Sequence, residues 1–173
     1  LRIDEMDSLG LGGGALFEPE VLAALRQWVR PGMTVVDIGA NIGYFTVHLS
    51  RLVGAHGVVH AFEPEPVNFS ILTENVNMNG LTNVRLHRAA VGKERGDASL
   101  HTSDFNGGMH RLYASVCCSG PSVNVPVLRL DDLLVGAKVD LIKIDIEGYE
   151  ESALRGAENC LLENANLKII SEY

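Results

Sequence analysis

From residue 33 onward, short apolar runs alternate with segments whose apolar residues recur at helical spacing. Residues 33–38, 58–62, 84–90, 139–144 and 167–170 read as buried strands. Between them, Ile42, Phe45, Leu49 and Leu52 predict one helix and Phe69, Leu72 and Val76 a second, stopped by Asn79-Gly80. Leu154, Ala157 and Leu161 predict another, and residues 19–29 one more, ended by Pro31-Gly32. Residues 92–127 break the rhythm, with short strands at 96–101 and 123–127, and Asp131-Asp132 starts a short helical turn. Strands joined by helices at crossover spacing predict a parallel sheet with helices on both faces. The expected class is therefore α/β, a single domain over 17–173 behind a glycine-rich leader, 1–16, expected to be flexible. Ligands of such sheets sit beyond the carboxyl ends of the strands.

Composition narrows the partners. The chain has 173 residues, 46% hydrophobic and 21% charged, which excludes a disordered chain. A net charge of −8 opposes a nucleic-acid backbone as partner. No apolar run approaches the ~20 residues of a membrane span. Cys117, Cys118 and Cys160 make neither a disulfide framework nor a Cys-x-x-Cys zinc site, so free thiols in a reducing compartment, the cytoplasm, are expected.

Each candidate motif lies at a strand's carboxyl end. In Val35-Val-Asp-Ile-Gly-Ala-Asn-Ile-Gly43, Gly39 allows a sharp turn and Gly43 close packing of helix on strand, and the following helix N-terminus is expected to offer free backbone N–H groups. Asn41 stands where a dinucleotide fingerprint has its middle glycine, which argues against a nicotinamide cofactor. Asp37 can accept from a ligand ammonium or from the turn's amides. Glu63, in Ala61-Phe-Glu-Pro64, can accept two hydrogen bonds from a ribose diol; Phe62 can flank an adenine or belong to the core. Small residues in Arg88-Ala-Ala-Val-Gly92 leave room for a base. On the strand running into Asp145, alternation puts Lys143, Asp145 and Glu147 on one side, where Lys143 can pair with either carboxylate.

Together, residues 35–46, Phe62-Glu-Pro64, Leu130-Asp-Asp-Leu133, Ile142-Lys-Ile-Asp-Ile-Glu-Gly-Tyr-Glu150 and Leu154-Arg-Gly-Ala157 resemble the FkbM-type methyltransferases, in the family's order and spacing from about Phe17 onward. The resemblance implies a Rossmann-like class I methyltransferase, a three-layer sandwich with a mostly parallel sheet, using S-adenosylmethionine and usually methylating hydroxyl oxygens. It implies that Asp37, Gly39, Ala40, Asn41 and Gly43 surround the methionyl part. Glu18 would touch the cofactor's amino-acid end, and Glu63, with Phe62 and Pro64 beside it, the ribose. Ala89 and Ala90 would lie at the adenine edge, and Asp145 near the methyl group and the acceptor.

Class I members normally have seven strands ending in an antiparallel hairpin, whereas this chain stops at Tyr173 in what should be the fifth. The C-terminal strands are expected to be missing, and a homo-oligomer would cover the exposed edge. Removing an alcohol's proton calls for a general base, for which Asp145 and Glu147 come first and His101 and His110 second. Asp131, Asp145 and Glu147 could supply oxygen ligands to magnesium, a reading not favoured over metal-free transfer. Residues 92–126 are expected to shape the site of a small hydroxylated acceptor. The competing readings are a non-catalytic domain that binds a cofactor or partner and an NAD-dependent oxidoreductase.

Overall fold

A computed structural model of the chain describes residues 1–3, 7, 10–13, 17–101, 122–146 and 148–171. Its centre is a five-stranded parallel sheet built from β1 (Thr34–Ile38), β2 (Val58–Phe62), β3 (Val84–His87), β7 (Leu141–Ile144) and β8 (Lys168–Ser171), in the order β3-β2-β1-β7-β8. The central strand β1 is buried except at its first residue, as its unbroken apolar run requires. The order reverses beside β1, which opens a crevice between the ends of β1, β2 and β7.

Alternation along β1 and β7 divides two cores. Val35 and Leu141 face α1 (Pro19–Trp28), α2 (Tyr44–Val53) and α3 (Pro66–Met78) through Leu22, Leu25, Phe45, Leu49 and Leu72. Val36, Ile38, Ile142 and Ile144 face the other way, toward Leu130 of α4 (Leu130–Leu133), Ala153 of α5 (Glu150–Arg155) and Cys160 of α6 (Glu158–Glu163). The expected three layers are present.

Two elements differ from their sequence signal. The run 84–90 does not continue as one strand. It breaks after His87, and β4 (Ala90–Val91) joins β5 (Gly96–His101) and β6 (Ser122–Leu128) in a second sheet, order β4-β6-β5. The single helix expected through Leu154, Ala157 and Leu161 is two, α5 and α6. Gly156 separates them because its backbone is pressed against strand-end backbone. A Cβ there would lie 2.0 Å from the Gly92 carbonyl oxygen, and its own carbonyl accepts from the Asp131 amide at 3.0 Å.

Part of the expected leader is tied down. The buried Asn75 amide accepts from the Arg2 N–H and donates to the Arg2 carbonyl at 2.9 Å, while Asp7 accepts from the amides of Leu11 and Gly12 at 2.8 and 2.9 Å. Among the described residues, no helix is long and apolar enough to cross a membrane. Cys160 is a free, buried thiol; Cys117 and Cys118 lie outside the described residues.

Candidate active site

The site begins at the turn after β1. Gly39, at φ 80°, lets the end of β7 come so near that a Cβ would sit 1.9 Å from the Asp145 carbonyl oxygen. Gly43, at φ 92°, does the same for Leu72, whose Cδ1 would meet a Cβ at 2.6 Å. Asn41 adopts φ 51°, a conformation that asparagine tolerates better than most side chains. It therefore replaces a glycine's backbone freedom while keeping a polar side chain, whose Oδ1 accepts from the Ile42 amide at 2.7 Å.

The amides of the turn itself, ahead of α2, are taken up within the fold. The amides of Gly39 and Ala40 donate to the Phe62 carbonyl at 3.0 and 2.9 Å, Asn41 donates to Glu63 Oε2 at 2.8 Å, and Gly43 to the Ala40 carbonyl at 2.8 Å. With Ile42 on Asn41, every amide from residue 39 to 43 is engaged. The turn is thus a rigid shelf between β1 and β2, not a nest of free N–H groups.

Glu63 is 5% exposed, and its two oxygens accept one amide each, from Asn41 at 2.8 Å and Glu65 at 2.9 Å. Each oxygen keeps a lone pair for a further donor. Burial pushes its carboxyl up to about 7, against the lowering pull of those two amides. Pro64 follows half-buried, and Glu65 caps α3 by accepting from the Asn68 amide at 2.6 Å. Phe62 lies in the hydrophobic core around β1 and β7. Its ring is buried and stacked on His87, with centroids 4.4 Å apart and 14° between the planes. His87 is a residue that sequence reasoning missed: it pairs edge to edge with His60, Nε2 to Nδ1, at 3.2 Å. Burial lowers both imidazoles, His87 to about 4. Ala89 and Ala90 are buried just beyond, Ala90 already within the second sheet.

On the other side of β1, Asp37 is wholly buried. Its Oδ2 accepts from Thr46 Oγ1 at 2.6 Å, and Oδ1 has no hydrogen-bond partner among the described residues. Burial pushes its carboxyl up, opposed by the Lys143 charge and the Thr46 bond. Lys143, on the register position beside Asp37, is 3% exposed, with Nζ 3.1 Å from Asp145 Oδ2 and 3.9 Å from Asp37 Oδ1. It therefore pairs with both carboxylates that flank it. Glu18, at φ 42° where the chain enters α1, joins Lys143 and Asp145 around a cavity of about 250 Å³. A larger cavity of about 980 Å³ runs from Asp145 along α5, α6 and the end of β8.

Not every candidate converges here. Asp131 is drawn away as a helix cap, its oxygens accepting from the amides of Asn159 at 3.1 Å and Cys160 at 2.9 Å and facing Arg129 at 3.1 Å. It is therefore no partner of Asp145 for a cation. No three of the described His, Cys, Asp and Glu residues gather as a metal would require. His101 ends β5 in the second sheet. Glu147 and His110 lie outside the described residues, as does residue stretch 102–121 of the expected acceptor insertion.

A parallel sheet ordered in this way, with a glycine turn after its central strand and acids at the ends of its neighbours, is the Rossmann-like methyltransferase arrangement. Within that class the chain belongs to the FkbM methyltransferase domain family, whose profile matches residues 37–172. The chain is 32% identical over 162 residues to 31-O-demethyl-FK506 methyltransferase FkbM of Streptomyces tacrolimicus, covering 76% of this chain and 62% of that protein. It is 29% identical over 157 residues to hexuronic acid methyltransferase AglP of Haloferax volcanii, covering 88% and 61%. Methyltransferase 1 of Beauveria bassiana is 30% identical over 146 residues, covering 72% and 58%. The chain thus spans about three-fifths of the length of these relatives. The crystal structure of methyltransferase FkbM from Methylobacillus flagellatus KT shares the fold, with a TM-score of 0.58 at 21% identity over 86% of this chain and 39% of that one.

Proposed function

We propose that this chain is the S-adenosylmethionine-binding core of an O-methyltransferase whose acceptor is a hydroxyl on a sugar, a polyketide or a related small molecule. The observation that carries the reading is the row of acids at the crevice: Glu63, Asp37 and Asp145 at or just beyond the ends of β2, β1 and β7, with Gly39 between Asp37 and Asp145. Family membership supports it, as do relatives named for 31-O-demethyl-FK506 and for a hexuronic acid.

The donor set fits the cofactor. The Asp37 oxygen that makes no hydrogen bond among the described residues and the acid Glu18 suit the ammonium of its amino-acid end. The turn 39–43, with Ala40 buried and Asn41 left-handed, carries the methionyl part. The spare lone pairs of Glu63 suit a ribose diol, and the small side chains of Ala89 and Ala90 leave room for the adenine edge. When bound, the sulfonium supplies an activated methyl group; the chain contributes orientation and a place for the acceptor's proton. Asp145, 26% exposed at its side chain and open to both cavities, is the group that takes that proton, with Glu147 as the second acid of the motif.

Calorimetric titration with S-adenosylhomocysteine tests the pocket, with NAD as control. Saturable binding of the first alone is expected, and binding of NAD instead would return the oxidoreductase reading. Transfer of labelled methyl from S-adenosylmethionine to hexuronic acids, neutral hexosides and O-demethylated macrolides tests the reaction. Asp145→Asn is expected to keep S-adenosylhomocysteine binding and to lose about 10²–10⁴-fold in transfer. Transfer at the wild-type rate in that variant would remove Asp145 as the base. Binding without transfer to any acceptor would favour the non-catalytic domain.

A further inference from the structure

We propose that Lys143 is a positioning residue that joins Asp37, on the cofactor side, and Asp145, on the acceptor side, into one charge unit, so that a change at either carboxylate is felt at the other. The names of the two sides rest on the function proposed above; the bridge rests on geometry alone.

Lys143 lies within β7, on the register position beside Asp37 of β1 and two residues before Asp145. An ammonium in the middle of a sheet is costly to bury unless it is paired. Its three surroundings supply that pairing: Asp145 Oδ2 at 3.1 Å, Asp37 Oδ1 at 3.9 Å, and the face of the Phe45 ring at 4.7 Å. Only the first distance is a hydrogen bond. Asp37 Oδ1 has no hydrogen bond among the described residues, so the charge of Lys143 is what faces it.

Among the described residues, the groups around Nζ are few. β1 offers Asp37, the end of β7 offers Asp145, and the entry to α1 offers Glu18, whose charge also acts on Lys143. α2 presents Phe45 and Thr46, and β8 presents Ile170 and Ser171, none of them charged. One cation therefore serves several carboxylates. Burial pushes the Lys143 ammonium down, but Asp37, Asp145 and the bond to Asp145 outweigh it and hold it above an ordinary lysine. Less than an ångström separates its distances to the two acids. A ligand or proton that occupies Asp145 frees Lys143 to close on Asp37, and the reverse also holds, because such coupling is reciprocal.

The test is a double-mutant cycle on S-adenosylhomocysteine affinity, measured by calorimetry on the whole chain. Lys143→Met is expected to weaken binding about tenfold, because Asp37, buried without its cation, takes up a proton and no longer pairs with the ligand's ammonium. Asp145→Asn should shift affinity by a smaller factor, and the double variant should be no weaker than Lys143→Met alone. Lys143→Arg should restore most of the loss. Single effects that simply multiply in the double variant would overturn the proposal. A second measurement decides the matter if Lys143→Met does not fold. The ¹⁵N resonance of Lys143 Nζ is followed against pH in the unliganded wild type and in Asp145→Asn and Asp37→Asn. Its titration midpoint should fall in each variant; a midpoint that moves in neither overturns the bridge. If the wild type binds no S-adenosylhomocysteine, the cofactor reading fails, and the Nζ titration still decides the bridge.

Discussion

Glu63 carries the sharpest consequence of burying an acid beside a ligand site. Its native carboxyl stands at about 7, above an unfolded value near 4.5. Between those values the folded chain holds a proton that the unfolded chain has lost. Its contribution to stability is therefore complete below about pH 4.5 and is lost as pH rises to about 7. Ligand binding has the opposite preference, since only the ionised acid accepts from both hydroxyls of a diol. With a midpoint near 7, S-adenosylhomocysteine should bind about tenfold more weakly at pH 6 than at pH 8. Glu63→Gln should bind weakly at both and lose the dependence. Titration calorimetry across that range checks this, and equal affinity at pH 6 and 8 in the wild type would take the ribose role from Glu63. The place of Glu63 just beyond β2 was legible from the strand pattern. That both its oxygens already brace amides was not, because Asn41 and Glu65 reach it only through the fold.

Asp131 shows how an element can claim a residue that chemistry seemed to want. By type it suits a divalent cation, and it sits in a motif with Asp132. Its carboxylate instead closes the first turn of α6, accepting from the amides of Asn159 and Cys160, because Gly156 has broken the helix and exposed those donors. The periodicity of Leu154, Ala157 and Leu161 survives the break, so spacing alone reads one helix where there are two. Asp131→Ala removes a buried acceptor from two amides and from Arg129. It should destabilise the chain by about 2 kcal/mol in chemical denaturation while leaving S-adenosylhomocysteine affinity unchanged. A comparable loss of affinity would return Asp131 to the site. Asp131→Asn, which keeps one acceptor oxygen, should fall between the two.

Across the whole molecule, the order of layers followed from the alternation of buried strands and amphipathic helices, since few topologies bury both faces of a parallel sheet. The strand ends on which the candidate residues stand followed too. What local pattern could not supply was the break after His87, where Ala90 and Val91 leave the main sheet to pair with β6, a partner more than thirty residues away in the chain. Edges are likewise a property of the assembled sheet. Among the described residues, β8 has β7 as its sole strand neighbour, and its Lys168 and Ile169 are exposed, Ile169 at 40%. A charged residue guards such an edge and an apolar one invites pairing. This chain should therefore self-associate through β8. Sedimentation velocity over a dilution series should show a coefficient that rises with concentration, and Ile169→Lys should hold it at the monomer value without changing S-adenosylhomocysteine affinity. A wild-type coefficient that is constant over the series would mean that Lys168 alone protects the strand. A lowered affinity in Ile169→Lys would mean that β8 also supports the cavity between Glu18 and Asp145, through its neighbour Ile170.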